Sequence, residues 1–145
     1  MGASEGLGFD PARFLNDERR VGHATMLGIR YVRHGKKWIE LSMPFSLASL
    51  DADGTAAFGP IATLLDMATG FSIWMLGDSF RPQATLDLRI DRLRDARAGR
   101  PLIGRGECLG VAGDVAFVRG IAHDGDLSDP VALAAGSFMM TAGSK

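Results

Sequence analysis

Gly59-Pro60-Ile61-Ala62-Thr63-Leu64-Leu65-Asp66-Met67-Ala68-Thr69-Gly70-Phe71-Ser72-Ile73-Trp74-Met75-Leu76 reads as one long helix, apolar nearly all round and interrupted by a single acid. Pro60 suits the first helical turn, whose N–H groups have no intrahelical partner anyway. A helix without a polar face is normally buried by whatever surrounds it. An ionised carboxylate in such surroundings costs several kcal/mol unless it is partnered. Asp66 is therefore either satisfied by a neighbouring donor or kept for chemistry.

Upstream, Asp10 and Pro11 form a cap and first-turn pair, and Phe14 and Leu15 anchor a short helix expected to run to about Arg20. The run Ala24 to Val32 reads as a strand, His34-Gly35-Lys36-Lys37 as a hairpin turn, and Trp38 to Met43 as a second, alternating strand. Ser46 to Phe58 has turn composition around Asp51, Asp53 and Gly54 and leads into the helix. Downstream, four strand-like runs follow, Ala84 to Leu93, Leu102 to Leu109, Val115 to His123 and Val131 to Thr141. Their separators are rich in turn formers and read as meander connections. This order predicts an α+β domain in which an antiparallel sheet wraps a long central helix. The expected division is an N-terminal segment over 1–21 with the short helix, and one domain over 22–145.

At 145 residues the chain is long enough for one domain with its own core and short for two. Charged residues make up 23% and the formal net charge is -1, which argues against nucleic acid or an anionic membrane as partner. No apolar run reaches the length of a membrane span, and the single cysteine, Cys108, has no intramolecular partner for a disulfide. The first residues lack a basic start followed by an apolar stretch, so a cytoplasmic protein is expected. His23, His34 and His123 are widely spaced with no acid or cysteine at ligand spacing, and no metal is expected. No serine sits in a Gly-x-Ser-x-Gly elbow.

The segment Gly59-x-x-x-x-Leu64-Leu65-Asp66-x-Ala68-x-Gly70, followed by Thr85-Leu86-Asp87-Leu88-Arg89-Ile90-Asp91-Arg92-Leu93-Arg94, resembles the hotdog-fold acyl-CoA thioesterases of the phenylacetate-degradation (PaaI-like) type. The likeness covers about Gly22 to Thr141. It implies the hotdog fold, a homo-oligomer (dimer or dimer of dimers) with sites at the subunit interface, and acyl-CoA as substrate, with no other cofactor. Asp66 matches the family's catalytic carboxylate, general base toward water or nucleophile, a role that calls for a desolvated acid. The family's helix begins His-Gly-Gly, where this chain has Ala57, Phe58 and Gly59. The resemblance implies that a backbone N–H of Phe58 or Gly59 polarises the thioester carbonyl, as a helix start favours developing negative charge.

Thr85 matches a position where the family often has Ser or Thr near the acid, holding water or substrate. Asp51 falls where relatives often carry a donor. An ionised carboxylate cannot donate to an oxyanion, so no role is assigned to it. Arg94 and Arg97, in the turn after that strand, are the expected contacts for coenzyme A phosphates, which guanidinium groups bind well. Phe71, with Phe58, Trp74 and Met75, is expected to line the acyl pocket. The expected activity is hydrolysis of acyl-CoA thioesters. The alternative is an acyl-CoA or small hydrophobic ligand-binding protein of the same fold without catalysis, and a dehydratase or hydratase is weaker for want of a histidine placed beside Asp66.

Overall fold

The computed structural model describes residues 9–77 and 80–141. Among the described residues three α-helices, α1 (Pro11–Leu15), α2 (His23–Met26) and α3 (Phe58–Trp74), and a 3-10 turn (Leu47–Ser49) accompany six strands. These are β1 (Arg30–Gly35), β2 (Trp38–Met43), β3 (Gln83–Arg92), β4 (Leu102–Ala112), β5 (Val115–His123) and β6 (Ala132–Met140). Every paired neighbour is antiparallel, and the order across the sheet is β1-β2-β4-β5-β6-β3. One long helix packed on one face of such a sheet is the hotdog architecture, as expected from the sequence.

α3 packs on β2, β4 and β5 through Ile61, Leu64, Leu65 and Ala68, all fully buried. Each large aliphatic side chain buried this way contributes about 1.5–3 kcal/mol before the cost of ordering it. The sheet lets the helix approach closely because β4 and β5 present Gly104, Gly106 and Gly120 beneath it. From Phe9 onward the residues before α2 pack against this core. Leu15 is buried, and the rings of Phe9 and Phe14 pack on Phe71 at the C-terminal end of α3.

Three expectations require correction. The first helix stops at Leu15, with Asn16 as its C-cap, rather than running to Arg20. The run Ala24 to Val32 is not one strand. His23–Met26 is a helical turn closed by Gly28 at φ 71, with N–H bonds from Gly28 to the Thr25 carbonyl and from Ile29 to the Ala24 carbonyl. That is a Schellman closure, which needs a left-handed residue, and glycine supplies it without steric penalty. Finally, the four later strands are not one meander. β4, β5 and β6 are consecutive neighbours, but β3 lies beyond β6 as an edge strand and is joined to β4 by a crossing connection.

Candidate active site

Along the middle of α3 the half-buried residues are Ala62, Thr63, Asp66 and Met67, so the acid lies on a stripe that the sheet does not cover. Opposite the stripe stands β3, whose inward positions include Thr85, Leu88 and Ile90. The helix touches β3 far less than it touches β4, and the gap is an open groove of ≈ 580 Å³ lined by Phe58, Ala62, Thr63, Asp66, Leu88 and Ile90. A β-bulge at Leu86 breaks the β3–β6 register between Thr85 and Asp87. Bulges of this kind re-aim side chains and are common beside active sites.

The Thr85 hydroxyl donates to Asp66 Oδ1 at 2.9 Å. Asp66 Oδ2 accepts no hydrogen bond from the described residues, so one oxygen is held and the other is open to the groove. One turn deeper, Gln83 Nε2 donates to the Gly70 carbonyl at 2.7 Å and continues this polar seam between α3 and β3. At its N-terminus α3 is preceded by Ala57, which supplies no side-chain cap. The Phe58 and Gly59 amides fall among the first-turn N–H groups that lack an intrahelical carbonyl, while Ile61 N–H bonds to the Ala57 carbonyl at 3.3 Å. Phe58, 47% exposed, lines the groove at this end. Arg92 braces the start of the helix by donating to the Ala56 carbonyl at 3.1 Å and pairing with Asp95 at 2.9 Å.

The structure thus brings together Asp66, Thr85, Phe58 and Gly59. Asp51 is spent on its own turn, accepting from Asp53 N–H, Thr55 N–H and the Thr55 hydroxyl. Burial pushes its carboxyl up, but those hydrogen bonds and the Arg92 charge outweigh it, and the net shift is downward.

Phe71 does not line the groove. It points to the other end of the helix, stacked on Trp74 (centroids 5.1 Å apart) and edge-on to Phe9 and Phe14. Met75 is likewise buried in the core. A second cavity of ≈ 560 Å³ opens beside this aromatic cluster, lined by Phe9, Phe14 and Phe80 with Arg13 and Arg20.

Arg94 requires a further correction. Its Nε donates to Asp129, Nη1 to Asp124 and the Asp95 carbonyl, and Nη2 to Asp124 and the Asp129 carbonyl. Guanidinium has five N–H donors, so none is left for a phosphate. Arg94 is instead a brace that ties the β3–β4 crossing connection to the β5–β6 loop. Arg97 shares that cluster through longer contacts, 3.5 Å to Asp124 and 3.3 Å to Asp129, and its side chain is 51% exposed.

The Asp124 side chain is wholly inaccessible. Hydrogen bonds from Arg94, opposed by burial and reinforced by the Arg97 amide and both arginine charges, hold its carboxyl far below the usual range. A carboxyl whose folded pKa lies below its unfolded value of about 3.9 stabilises the fold above that value, and the gain is lost as pH falls through the folded pKa. Glu40 adds to the same trend. Burial raises its pKa, but hydrogen bonds from Arg33 and Arg105 bring it below the ordinary value. Thermal unfolding followed by circular dichroism is expected to be flat from neutral to about pH 5 and to fall steeply below about pH 4. Asp124→Asn should cost about 2 kcal/mol at neutral pH, the usual buried-pair penalty discounted for partly exposed arginines, and its deficit should narrow in acid. A deficit unchanged down to about pH 3 would remove the ion cluster as the cause.

Sequence reasoning missed Ala62, Thr63, Leu88 and Ile90 as groove lining. The spacing Gly59, Ala62, Thr63, Asp66 places them on one helical face, and that signal was available once Asp66 was singled out. It also missed His23, whose Nε2 lies 3.0 Å from Thr63 Oγ1.

No protein-family model and no curated protein matches the chain. Solved structures do. A crystal structure of a Pseudomonas aeruginosa protein is 31% identical, covers 90% of this chain and 96% of its own, and superposes with a TM-score of 0.79. The Escherichia coli PaaI protein of the phenylacetic acid degradation operon is 18% identical over 83% of this chain and 85% of its own, TM-score 0.74. A thioesterase family protein from Silicibacter pomeroyi is 22% identical over 83% and 89%, TM-score 0.74.

Proposed function

We propose, from a chain that belongs to one family with the Pseudomonas protein and carries the hotdog fold of the PaaI-like thioesterases, that it hydrolyses acyl-CoA thioesters in the groove between α3 and β3. The observation that carries this reading is Asp66, held at one oxygen by Thr85 and open at the other, in an otherwise largely apolar groove about two turns from the free N–H groups at the helix start. Asp66 Oδ2 takes a proton from water as the water oxygen attacks the thioester carbonyl carbon. The carbonyl oxygen becomes an oxyanion against the Phe58 and Gly59 N–H groups. The C–S bond then breaks, and the CoA thiolate leaves and recovers the proton. A nucleophilic route would use the same Oδ2 through an anhydride. Label recovered in the Asp66 carboxylate after a single turnover in ¹⁸O-water would establish the anhydride route, with water opening the anhydride at its Asp66 carbonyl, since direct attack of water on the thioester leaves none there.

The groove is open along β3, and β3 is a sheet edge with unpaired N–H and C=O groups and with Leu86 53% exposed. Edges of this kind are normally covered or paired. A second copy adding its own β3 antiparallel would place Asp87 or Asp91 beside Arg89 of the first and wall the groove, giving a dimer or a dimer of dimers. A monomeric mass by sedimentation equilibrium would sink this arrangement. Arg97, rather than Arg94, is left to meet a CoA phosphate at the rim.

The test is free-thiol release from aryl, short, medium and long acyl-CoAs, with CoA affinity measured alongside. Affinity without turnover of any thioester would favour the binding protein instead, a reading to which the Phe58 side chain at the helix start lends weight. Thr85→Val keeps the shape of the residue and removes its O–H. It is expected to lower kcat about tenfold, the worth of one hydrogen bond to a charged group, with little change in Tm because Thr85 is exposed. An undiminished kcat would leave Thr85 as an ordinary strand residue.

A further inference from the structure

His23, on α2, approaches the groove from outside both elements that form it. Its Nε2 is 3.0 Å from Thr63 Oγ1, and Thr63 lies one helical turn before Asp66 in the groove lining. The Thr63 hydroxyl is also 3.2 Å from the Gly59 carbonyl oxygen, to which it donates. A hydroxyl has one proton to give. With that proton directed to Gly59, Thr63 Oγ1 offers only lone pairs, and Nε2–H is the donor. The hydrogen-bond network therefore sets the tautomer. In the neutral ring Nδ1 then carries the free lone pair, and it accepts no hydrogen bond from the described residues.

The ring is exposed. The α2 turn does not depend on it, since Leu27 and Ile29 are 1% and 2% exposed and the Gly28 closure is made by backbone alone. His23 is thus an exposed imidazole oriented by the site helix, one hydrogen bond from the lining of a groove whose groups are apolar apart from Asp66 and Thr63. An acceptor repels a phosphate and binds an N–H. We infer that His23 is a substrate-binding residue whose Nδ1 accepts the amide N–H of a pantetheine-type arm, the segment that lies two methylenes from the thioester sulfur. The inference rests on the thioesterase reading above and adds which part of the carrier is recognised, and by which atom.

Two thioesters of one acyl group test it. The S-acyl derivative of N-acetylcysteamine has the amide N–H and no nucleotide, and the S-acyl derivative of butanethiol has neither. Both thioesters are assayed in the same buffer. His23→Ala is expected to lower kcat/KM for the cysteamine thioester about tenfold more than for the butyl thioester, mostly through KM. His23→Lys, which keeps N–H donors for Thr63 and has no acceptor, should shift the ratio in the same direction. The ratio does not depend on the fraction of protein folded, because one preparation hydrolyses both substrates. Equal losses on the two thioesters, or no loss on either, would overturn the role of His23 while leaving the thioesterase reading intact. Failure of the wild type to hydrolyse either of them or the coenzyme A thioester of the same acyl group would bring down both.

Discussion

Asp66→Asn is expected to reduce thioester hydrolysis about 10³-fold in kcat, within the 10²–10⁴ range that a positioned general base contributes, while leaving affinity for CoA and the fold close to wild type. Asparagine has the same shape and keeps an Oδ1 to accept the Thr85 hydroxyl, so the 2.9 Å contact that positions the side chain survives. What is lost is Oδ2, the oxygen open to the groove, replaced by an amide nitrogen that neither takes a proton nor attacks a carbonyl. Because Asp66 is only half buried and makes this one side-chain bond, stability should change by no more than about 0.5 kcal/mol. The measurement is free-thiol release at saturating acyl-CoA, with Tm and CoA binding as controls. A variant retaining a third or more of wild-type kcat would reduce Asp66 to a hydrogen-bond acceptor for Thr85. The double variant Asp66→Asn with Thr85→Val sharpens the reading. If Thr85 acts through Asp66, its removal costs little more once the base is gone, since residues that work as a unit are strongly non-additive.

Legibility in the sequence tracked the range of the interaction involved. The central helix was readable because Ile61, Leu64, Leu65 and Ala68 make a continuous apolar pattern, and β5 was readable to its ends because its period is local. Gly28 split the expected first strand by a backbone closure that the apolar run around it conceals. The position of β3 at the sheet edge follows from pairing with β6 across some fifty residues of chain, which local turn composition does not encode. The site shows the same division. Asp66 stood out as an acid in an apolar helix, but its partner Thr85 is nineteen residues away and came only through the family resemblance. Among Arg89, Arg92, Arg94, Arg97 and Arg100, nothing local tells that Arg94 is spent, because its acids lie thirty and thirty-five residues downstream. Phe71 was misplaced for a related reason. A helix apolar on every side does not announce which side meets the groove, and only the packing of Phe9 and Phe14 turns Phe71 away from it.

Gly106→Ala should be the most damaging glycine-to-alanine change among the described residues, costing more than about 3 kcal/mol, at or beyond the upper end of ordinary overpacking. A Cβ built on Gly106 falls well inside contact distance of the Ala68 carbonyl and 2.6 Å from Thr69 N, both backbone atoms of α3. Gly104 and Gly120 are less demanding. There the added methyl meets Leu64 Cγ at 2.7 Å or Thr69 Cγ2 at 3.0 Å, side-chain atoms with some freedom to move. Helix backbone has no rotamer to change, so relief at Gly106 requires α3 to rise from the sheet by about an ångström. That lift opens the packing of Leu64, Leu65 and Ala68. It also carries Asp66, two residues before Ala68, relative to Thr85 on the edge strand. Urea unfolding should therefore rank Gly106→Ala well below Gly104→Ala in midpoint, against a total stability of about 5–15 kcal/mol for a domain of this kind. Whatever Gly106→Ala protein remains folded should turn over more slowly per molecule than the Gly104 variant, since an ångström at a hydrogen-bonded base is enough to cost about 10²-fold. Equal midpoints for the two variants would mean that the helix does not rest on Gly106. Equal midpoints with unequal kcat would mean that the helix yields at no cost in stability, and that its height above the sheet serves the Asp66–Thr85 contact alone.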